Sequence, residues 1–126
     1  MKLKLSIIGC GRLGKTLATL FLKTELVSIQ DIINFSIASS KKAVAFLGEG
    51  RICHTLKQLK PADIYLIATP DDCIEFIAQQ ITQQNILKQG DVVFHCSGLV
   101  SSESLYSAAR LGCYTASLHP IFSFSD

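Results

Sequence analysis

Three glycines near the N-terminus have the type and spacing that suit a phosphate-binding turn. Gly9, Gly11 and Gly14 fill the glycine positions of GxGxxG, between the apolar run Leu5 to Ile8 and a helical pattern that begins at Arg12. In this motif the first glycine makes a tight turn, the second leaves room for a pyrophosphate, and the third lets the helix pack closely on the strand. The N-terminus of the helix adds N–H groups and a partial positive charge. The spacing predicts a dinucleotide-binding loop made of Gly9, Cys10, Gly11, Arg12, Leu13 and Gly14.

A cysteine in this loop and two histidines also carry side chains with useful chemistry. Cys10 lies beside the N-terminus of the predicted helix, which favours a lowered thiol pKa. A redox role and simple packing of a small residue are both open there, and we favour packing. His95 stands inside a predicted strand end, so we expect a hydrogen-bonded structural histidine. His119, just before Pro120, follows the last predicted strand and is the candidate catalytic acid or base.

Composition narrows the class of protein. The chain has 126 residues, 48% of them hydrophobic and 17% charged, with a net charge of +2 and no basic cluster beyond Lys41 and Lys42, so we expect no nucleic-acid partner. Five cysteines, an odd number without a CxxC pair, indicate neither a disulfide framework nor a metal site. No apolar run reaches a membrane span of about 18 residues, and the chain begins directly with a strand. We therefore expect a cytoplasmic protein that does not bind membranes.

Strand and helix patterns alternate along the chain. The predicted strands are Leu5 to Ile8, Val27 to Asn34, Arg51 to Thr55, Asp63 to Ala68, Asp91 to Cys96 and Tyr114 to Leu118. The predicted helices are Arg12 to about Lys23, a helix capped by Ser36 that ends near Gly48, Cys73 to about Gln84 with an aspartate cap, and Glu103 to Arg110. This alternation predicts one α/β domain, residues 1–126, with a doubly wound, mostly parallel sheet of about six strands and helices on both faces.

In such a sheet, ligands bind at the carboxyl ends of the strands, where the strand order reverses. The residues that follow each strand are therefore candidates for cofactor or substrate contact. Beyond the glycine loop they are Asn34, Phe35, Ser36, Ala68, Thr69, Pro70, Ser97 and Gly98. Taken one at a time, several of them are equally typical of ordinary turns, and their shared edge is what favours a site.

Five short strings together resemble a known family. They are GCGRLG from Gly9, the triplet Asn34-Phe35-Ser36, ATPDD from Ala68, FHCSG from Phe94 and SLHP from Ser117. They are similar to Rossmann-like oxidoreductases related to deazaflavin-dependent NADP reductases and pyrroline carboxylate reductases. The resemblance covers essentially the whole chain. It implies a Rossmann-type fold, a nicotinamide cofactor, and hydride transfer to or from a small carbonyl or imine.

Members of that family are about twice as long as this chain. After the LHP motif they carry a second, helical domain that helps form a dimer and one wall of the site. The sequence ends at Asp126, six residues past Pro120. We therefore expect the cofactor-binding domain of an oxidoreductase alone. The alternative to an enzyme domain is a non-catalytic dinucleotide-binding or interaction module.

The end of the second strand bears on the choice between NADP and NAD. An acid about 20 residues past the glycine motif binds the ribose of NAD, but that place holds Asn34. The resemblance implies an Asn-Arg-Ser triplet here, with the arginine on a 2′-phosphate, and this chain has Phe35 in the arginine position. Lys41 and Lys42 are candidates to compensate, while Phe35 either stacks on adenine or packs. We expect NADP, with NAD as the alternative.

The last residues of the sequence predict self-association. Ile121, Phe122 and Phe124 follow the final predicted strand, and apolar patches of a few hundred Å² on a monomer usually signal association. We expect a homodimer through the edge from His119 to Phe124. In sedimentation, the double variant Phe122→Ser/Phe124→Ser should be monomeric where the wild type dimerises. A monomeric wild type at high concentration, or an equally dimeric variant, would contradict this.

Overall fold

The computed structural model describes residues 2–97 and 101–118. Six strands form one sheet: β1 (Leu3–Ile8), β2 (Val27–Ile33), β3 (Arg51–Ile52), β4 (Ile64–Ile67), β5 (Val92–His95) and β6 (Tyr114–Ser117). The helices are α1 (Arg12–Lys23), α2 (Ile37–Leu47), α3 (Ile74–Gln83) and α4 (Tyr106–Ala109). Short 3-10 turns span Leu56–Gln58, Asp71–Cys73 and Ser102–Leu105.

The strand order is β3-β2-β1-β4-β5-β6, and every neighbouring pair is parallel. This confirms the doubly wound α/β prediction. The order reverses between β1 and β4, so the chain crosses to one side of β1 first and to the other side later. The carboxyl ends of these two strands carry the glycine loop and Ala68, which brings the first and third predicted site segments together.

Alternate residues of the central strands face two separate cores. Leu5 and Ile7 pack in one core with Leu17 of α1 and Ala43 of α2. Ile8 lies in the other core, where α3 and α4 pack. The second core contains the predicted stripe of α3, in which Ile74, Ala78 and Ile81 are fully buried and Ile77 is partly buried. Helices therefore cover both faces of the sheet, as predicted.

Most element boundaries lie within about two residues of the prediction, and two elements differ more. β3 ends at Ile52 instead of Thr55, because the chain bends into a 3-10 turn that starts at Leu56. The predicted helix from Glu103 to Arg110 is a 3-10 turn followed by only four α-helical residues. In both places a 3-10 turn stands where residue propensities favoured a longer strand or a longer α-helix.

Helix caps were predicted correctly for α2 and wrongly for α3. The Ser36 hydroxyl accepts a hydrogen bond from the Ser39 N–H at 3.1 Å, and Gly48 ends α2 with φ of +82°. No aspartate side chain caps α3. The 3-10 turn that starts at Asp71 continues directly into the helix, and its carbonyls satisfy the first N–H groups.

β6 also departs from the expectation of strands buried on both faces. It is an outer strand, and three of its four residues are exposed, with Tyr114 71% exposed. The segment from His119 to Phe124, through which we predicted a homodimer, lies outside the described residues, so the homodimer stays a prediction.

Candidate functional site

Each glycine of the loop occupies a different steric environment. Gly9 has φ of +85°, and a Cβ there would come within 2.9 Å of the backbone of Ala68. A Cβ on Gly14 would lie 3.0 Å from the Gly9 carbonyl oxygen, which shows how closely α1 packs on the loop. A Cβ on Gly11 would meet no atom within 4 Å. Gly9 and Gly14 therefore make the turn and the packing, whereas Gly11 faces open space.

Asn34 holds the glycine loop against the end of β2. Its side-chain oxygen accepts a short hydrogen bond from the Cys10 N–H, and its Nδ2 donates to the Cys10 carbonyl at 3.3 Å. Both polar ends of the amide are thereby used, and the Asn34 N–H is bonded to the Ser40 hydroxyl at 3.2 Å. We predicted that Asn34 contacts the cofactor or the substrate. The structure shows it positioning the loop from the wall of the cleft.

A cleft of about 270 Å³ opens above the carboxyl ends of β1, β2 and β4. It is lined by Gly9, Cys10, Gly11, Lys15, Asn34, Phe35, Ser39, Lys42, Ala68, Thr69 and Pro70. Its described lining includes two lysines and no carboxylate. Eight of the predicted site residues come together here, from three separate segments of the chain.

A smaller apolar hollow of about 120 Å³ adjoins the cleft. Leu56 and Ile77 form one side of it, and Phe35 and Thr69 belong to both cavities. Phe35 is 85% exposed, so its ring is not packed into the protein core. A flat apolar group entering the hollow would therefore find an aromatic face at its rim.

The Cys10 thiol is not activated. Cys10 is 1% exposed, and burial raises the pKa of its thiol to about 11, with the Lys15 charge opposing that rise. The nearby helix N-terminus favours a lowered pKa, but the loss of hydration outweighs the positive charge around the thiol. The packing interpretation of Cys10 is the one that the structure supports.

Other predicted residues lie outside the cleft lining or outside the described residues. Leu13 packs against the core, Ser36 caps α2, and the Ser97 N–H donates to Nδ1 of His95 at 3.1 Å. Arg12 and Gly14 belong to the first turn of α1 without lining the cleft. Gly98 and His119, the candidate acid or base, fall outside the described residues, and their roles stay predictions.

His95 is the structural histidine that we expected. It is fully buried, its Nδ1 accepts from the Ser97 N–H, and its Nε2 lies 3.0 Å from the Ser101 carbonyl oxygen. This pattern requires the proton on Nε2. Both ring nitrogens are thus used to hold the segment after β5.

Two cleft residues were missed by the sequence interpretation, Lys15 and Ser39. Lys15 is four residues beyond Gly11, and side chains of a helix tilt toward its N-terminus, so this spacing places it above the loop. Of the two lysines proposed to compensate for Phe35, Lys42 lines the cleft and Lys41 does not. Ser39 lies three residues after Ser36, the N-cap of α2, and this helical spacing could have placed it on the same side of the helix.

Two further findings concern the described residues as a set. No three or more His, Cys, Asp or Glu side chains among residues 2–97 and 101–118 are placed to hold a metal ion. None of the helices in those ranges has the length and hydropathy needed to cross a membrane.

Comparison with known proteins identifies the type of domain. A sequence profile described as a Rossmann-like domain matches residues 1–120. No curated protein matches the sequence. Among solved structures, a Bacteroides fragilis protein with the provisional name NADP oxidoreductase superposes with a TM-score of 0.77 at 17% identity, over 98% of this chain and 46% of its own.

Two other structures illustrate the range of similar proteins. GenD2 from gentamicin A biosynthesis, in complex with NAD, has a TM-score of 0.75 at 20% identity, over 92% of this chain and 34% of its own. Biliverdin reductase from Synechocystis sp. PCC 6803, in complex with biliverdin and NADP+, has a TM-score of 0.72 at 20% identity, over 91% and 37%. At these identities the likeness shows the fold, and this chain spans less than half the length of each.

Proposed function

Because the chain belongs to the Rossmann-like domain family, we propose that it is the nicotinamide dinucleotide-binding domain of an NAD(P)-dependent oxidoreductase. The observation that carries this proposal is the free space over Gly11, at the start of α1 and inside a cleft with two lysines. Gly11 has no side chain to cap the helix, and the first turn contains no acidic residue. A pyrophosphate placed there gains from backbone N–H groups and from the helix dipole.

The two cavities suit the two ends of an adenosine diphosphate. The N–H groups of the loop face the phosphates, while the hollow beside Leu56 and Ile77 offers an apolar wall to the adenine. Phe35, exposed at the boundary, is available to stack on the base. The solved structures with bound NAD and NADP+ support a ligand of this class.

We propose NADP as the preferred cofactor and NAD as the alternative. No carboxylate stands at the end of β2, where an acid would bind the ribose hydroxyls of NAD. The one buried acid of β2, Asp31, lies within the strand, 2.8 Å from Arg51 Nε and 2.9 Å from the Lys60 N–H. It is fully buried and committed to those partners, so it is not available to a ribose.

The proposed reaction is hydride transfer between the nicotinamide and a small carbonyl or imine. Thr69 and Pro70 extend the cleft from the adenosine side toward β4, and Ser97 and Gly98 follow the next strand, on the side proposed for the nicotinamide. His119 is the proposed acid or base. When bound, the cofactor supplies the hydride, and the protein residues hold it and set its orientation.

The test is a titration of NADPH and of NADH into the purified chain, followed by the change in cofactor fluorescence. We expect a saturable signal, and competition by 5′-ADP should reverse it. A heat-denatured sample and an exposed substitution far from the cleft, Gln79→Val on α3, serve as controls. Absence of a saturable signal with either cofactor at millimolar concentration would contradict the proposed function.

Thr69 offers a sharper test of the cleft wall. Its hydroxyl is buried without a hydrogen-bond partner in the described structure, while its methyl lies where a Gly9 Cβ would touch it, at 2.9 Å. Valine keeps that methyl and removes the hydroxyl. We expect Thr69→Val to be as stable as the wild type or up to about 1 kcal/mol more stable, and to bind NADPH about three- to tenfold more weakly.

The matched control for Thr69 is Ser6→Ala. Ser6 also has a buried, unpartnered hydroxyl, but it lies within β1, away from the cleft. Thermal melts and NADPH titrations of both variants make the comparison. If Thr69→Val binds NADPH as tightly as the wild type does, the hydroxyl has no part in cofactor binding.

We expect these 126 residues alone to have negligible dehydrogenase activity on small carbonyls, imines and hydroxyacids. The cleft is open on one side, and positioning of the substrate and exclusion of water supply much of the rate of such reactions. The measurement is NADPH oxidation at 340 nm with a panel of such substrates. Robust turnover by this chain alone would be the contrary result.

A non-catalytic dinucleotide-binding or interaction module is the second candidate. The observation that favours it is the described cleft lining, which holds no side chain suited to proton transfer near neutral pH: the pKa of Cys10 is raised to about 11. Titration with cofactor does not separate the two candidates, whereas turnover of any substrate in the activity panel would exclude the second.

A further inference from the structure

The strongest unassigned feature of the cleft is a pair of lysines that come from two different helices. Lys15 belongs to α1 and Lys42 belongs to α2, and both line the cavity that contains Phe35. Phe35 occupies the position where the family resemblance implies an arginine. The two lysines therefore supply positive charge beside Phe35, just after the end of β2.

The spacing along α2 places Lys42 on the helix face that Lys15 contacts. Ser39, Lys42 and Phe46 stand at i, i+3 and i+7, so they share one face of the helix. The Lys15 ammonium lies 5.8 Å from the centroid of the Phe46 ring. Lys15 thus reaches across from α1 to the same face of α2 that carries Lys42. Lys41, one residue away, is exposed and does not line the cleft.

Both charges are available to a ligand. In the part of the chain that the structure describes, no ion pair uses either lysine, and no carboxylate lines the cleft. The contact of Lys15 with Phe46 is a cation–π interaction, which orders the side chain but leaves its N–H donors free for an anion. Two ammonium groups without an acidic partner favour a ligand with a localised double negative charge.

We infer that Lys15 and Lys42 form the subsite for the 2′-phosphate of NADP. The inference rests on the proposed function and deepens it, since it names the residues that distinguish NADP from NAD. A 2′-phosphate carries nearly two negative charges at neutral pH, whereas the ribose hydroxyl of NAD carries none. The lysines should therefore add affinity for NADP and contribute little to the affinity for NAD.

The test is a set of dissociation constants for NADPH and NADH with the wild type, Lys15→Met, Lys42→Met and the double variant. Methionine keeps the apolar stem of each lysine, including the contact of residue 15 with Phe46, and removes the charge. Lys41→Met is the matched control on the same helix. Thermal melts of every variant confirm that the fold is intact. Competition with 2′,5′-ADP, 5′-ADP and inorganic phosphate identifies the group that is bound.

We expect the wild type to bind NADPH about tenfold or more tightly than NADH. Each single variant should lose about three- to tenfold in NADPH affinity. The double variant should bind NADPH and NADH equally well. Affinity for NADH should stay within about twofold throughout, and Lys41→Met should match the wild type. The 2′,5′-ADP should compete better than 5′-ADP, with inorganic phosphate weak.

Three results would overturn the inference while leaving the proposed function standing. They are equal binding of NADPH and NADH by the wild type, a preference that survives in the double variant, and inorganic phosphate competing as well as 2′,5′-ADP. If neither NADPH nor NADH binds at millimolar concentration, the proposed function fails, and the inference fails with it.

Discussion

A chain carrying Gly11→Val should keep its fold and lose its cofactor. A Cβ added at residue 11 would meet no atom within 4 Å apart from its chain neighbours, and the residue has φ of −84°, which any amino acid adopts. The substitution therefore costs no more than about 1 kcal/mol of stability, from the weaker N-cap. The same side chain enters the space that we assign to the pyrophosphate. We expect NADPH affinity to fall by about tenfold or more, with the melting temperature nearly unchanged.

The measurements are a fluorescence titration with NADPH and a thermal melt on the same preparation. Gln79→Val, at an exposed position on α3, controls for the addition of a β-branched side chain to a helix. An unchanged NADPH affinity in a folded Gly11→Val chain would contradict the placement of the pyrophosphate over Gly11.

Gly9→Ala should have the opposite outcome, with the loss in the fold itself. Gly9 has φ of +85°, where an L-residue costs about 1–2 kcal/mol, and its Cβ would lie 2.9 Å from the carbonyl carbon and oxygen of Ala68. Backbone atoms do not move aside as a flexible side chain does. We expect the free energy of unfolding to fall by about 2–4 kcal/mol, and the melting temperature by roughly 10 °C.

The measurement is urea unfolding of Gly9→Ala and of Gly11→Ala, which place the same side chain two residues apart in the loop. The change in midpoint should be large for the first and small for the second. Equal stability of the two variants would mean that the loop can relax around Gly9, and the tight turn would then have no special role.

Much of this fold could be predicted because local patterns and tertiary structure agree. The apolar run before Gly9 is a buried strand, α1 begins at Arg12 and ends at Lys23 as predicted, and Ser36 caps α2. Alternation of such elements leaves few topologies, because parallel strands need crossover helices on both faces. The position of the cleft followed from the same reasoning, since it lies at the strand ends.

What the sequence did not predict depends on contacts between segments distant in the chain. The double hydrogen bond of Asn34 to Cys10 joins residues 24 positions apart, and it gives Asn34 a support of the loop that no local pattern indicates. The raised pKa of the Cys10 thiol depends on burial, which a helix-dipole argument leaves out. Lys15 and Lys42 come together only through the packing of α1 beside α2.

The most direct measurement of the central claim is a map of backbone amide chemical shifts in the ¹⁵N-labelled chain during titration with NADPH. We expect saturable shifts for amides of the loop from Gly9 to Lys15, of Phe35 and of Thr69. Amides at the amino ends of the strands, such as Lys88 and Asp91 before β5, should stay unchanged. Shifts confined to those amino ends, or none at millimolar NADPH, would contradict cofactor binding at the glycine loop.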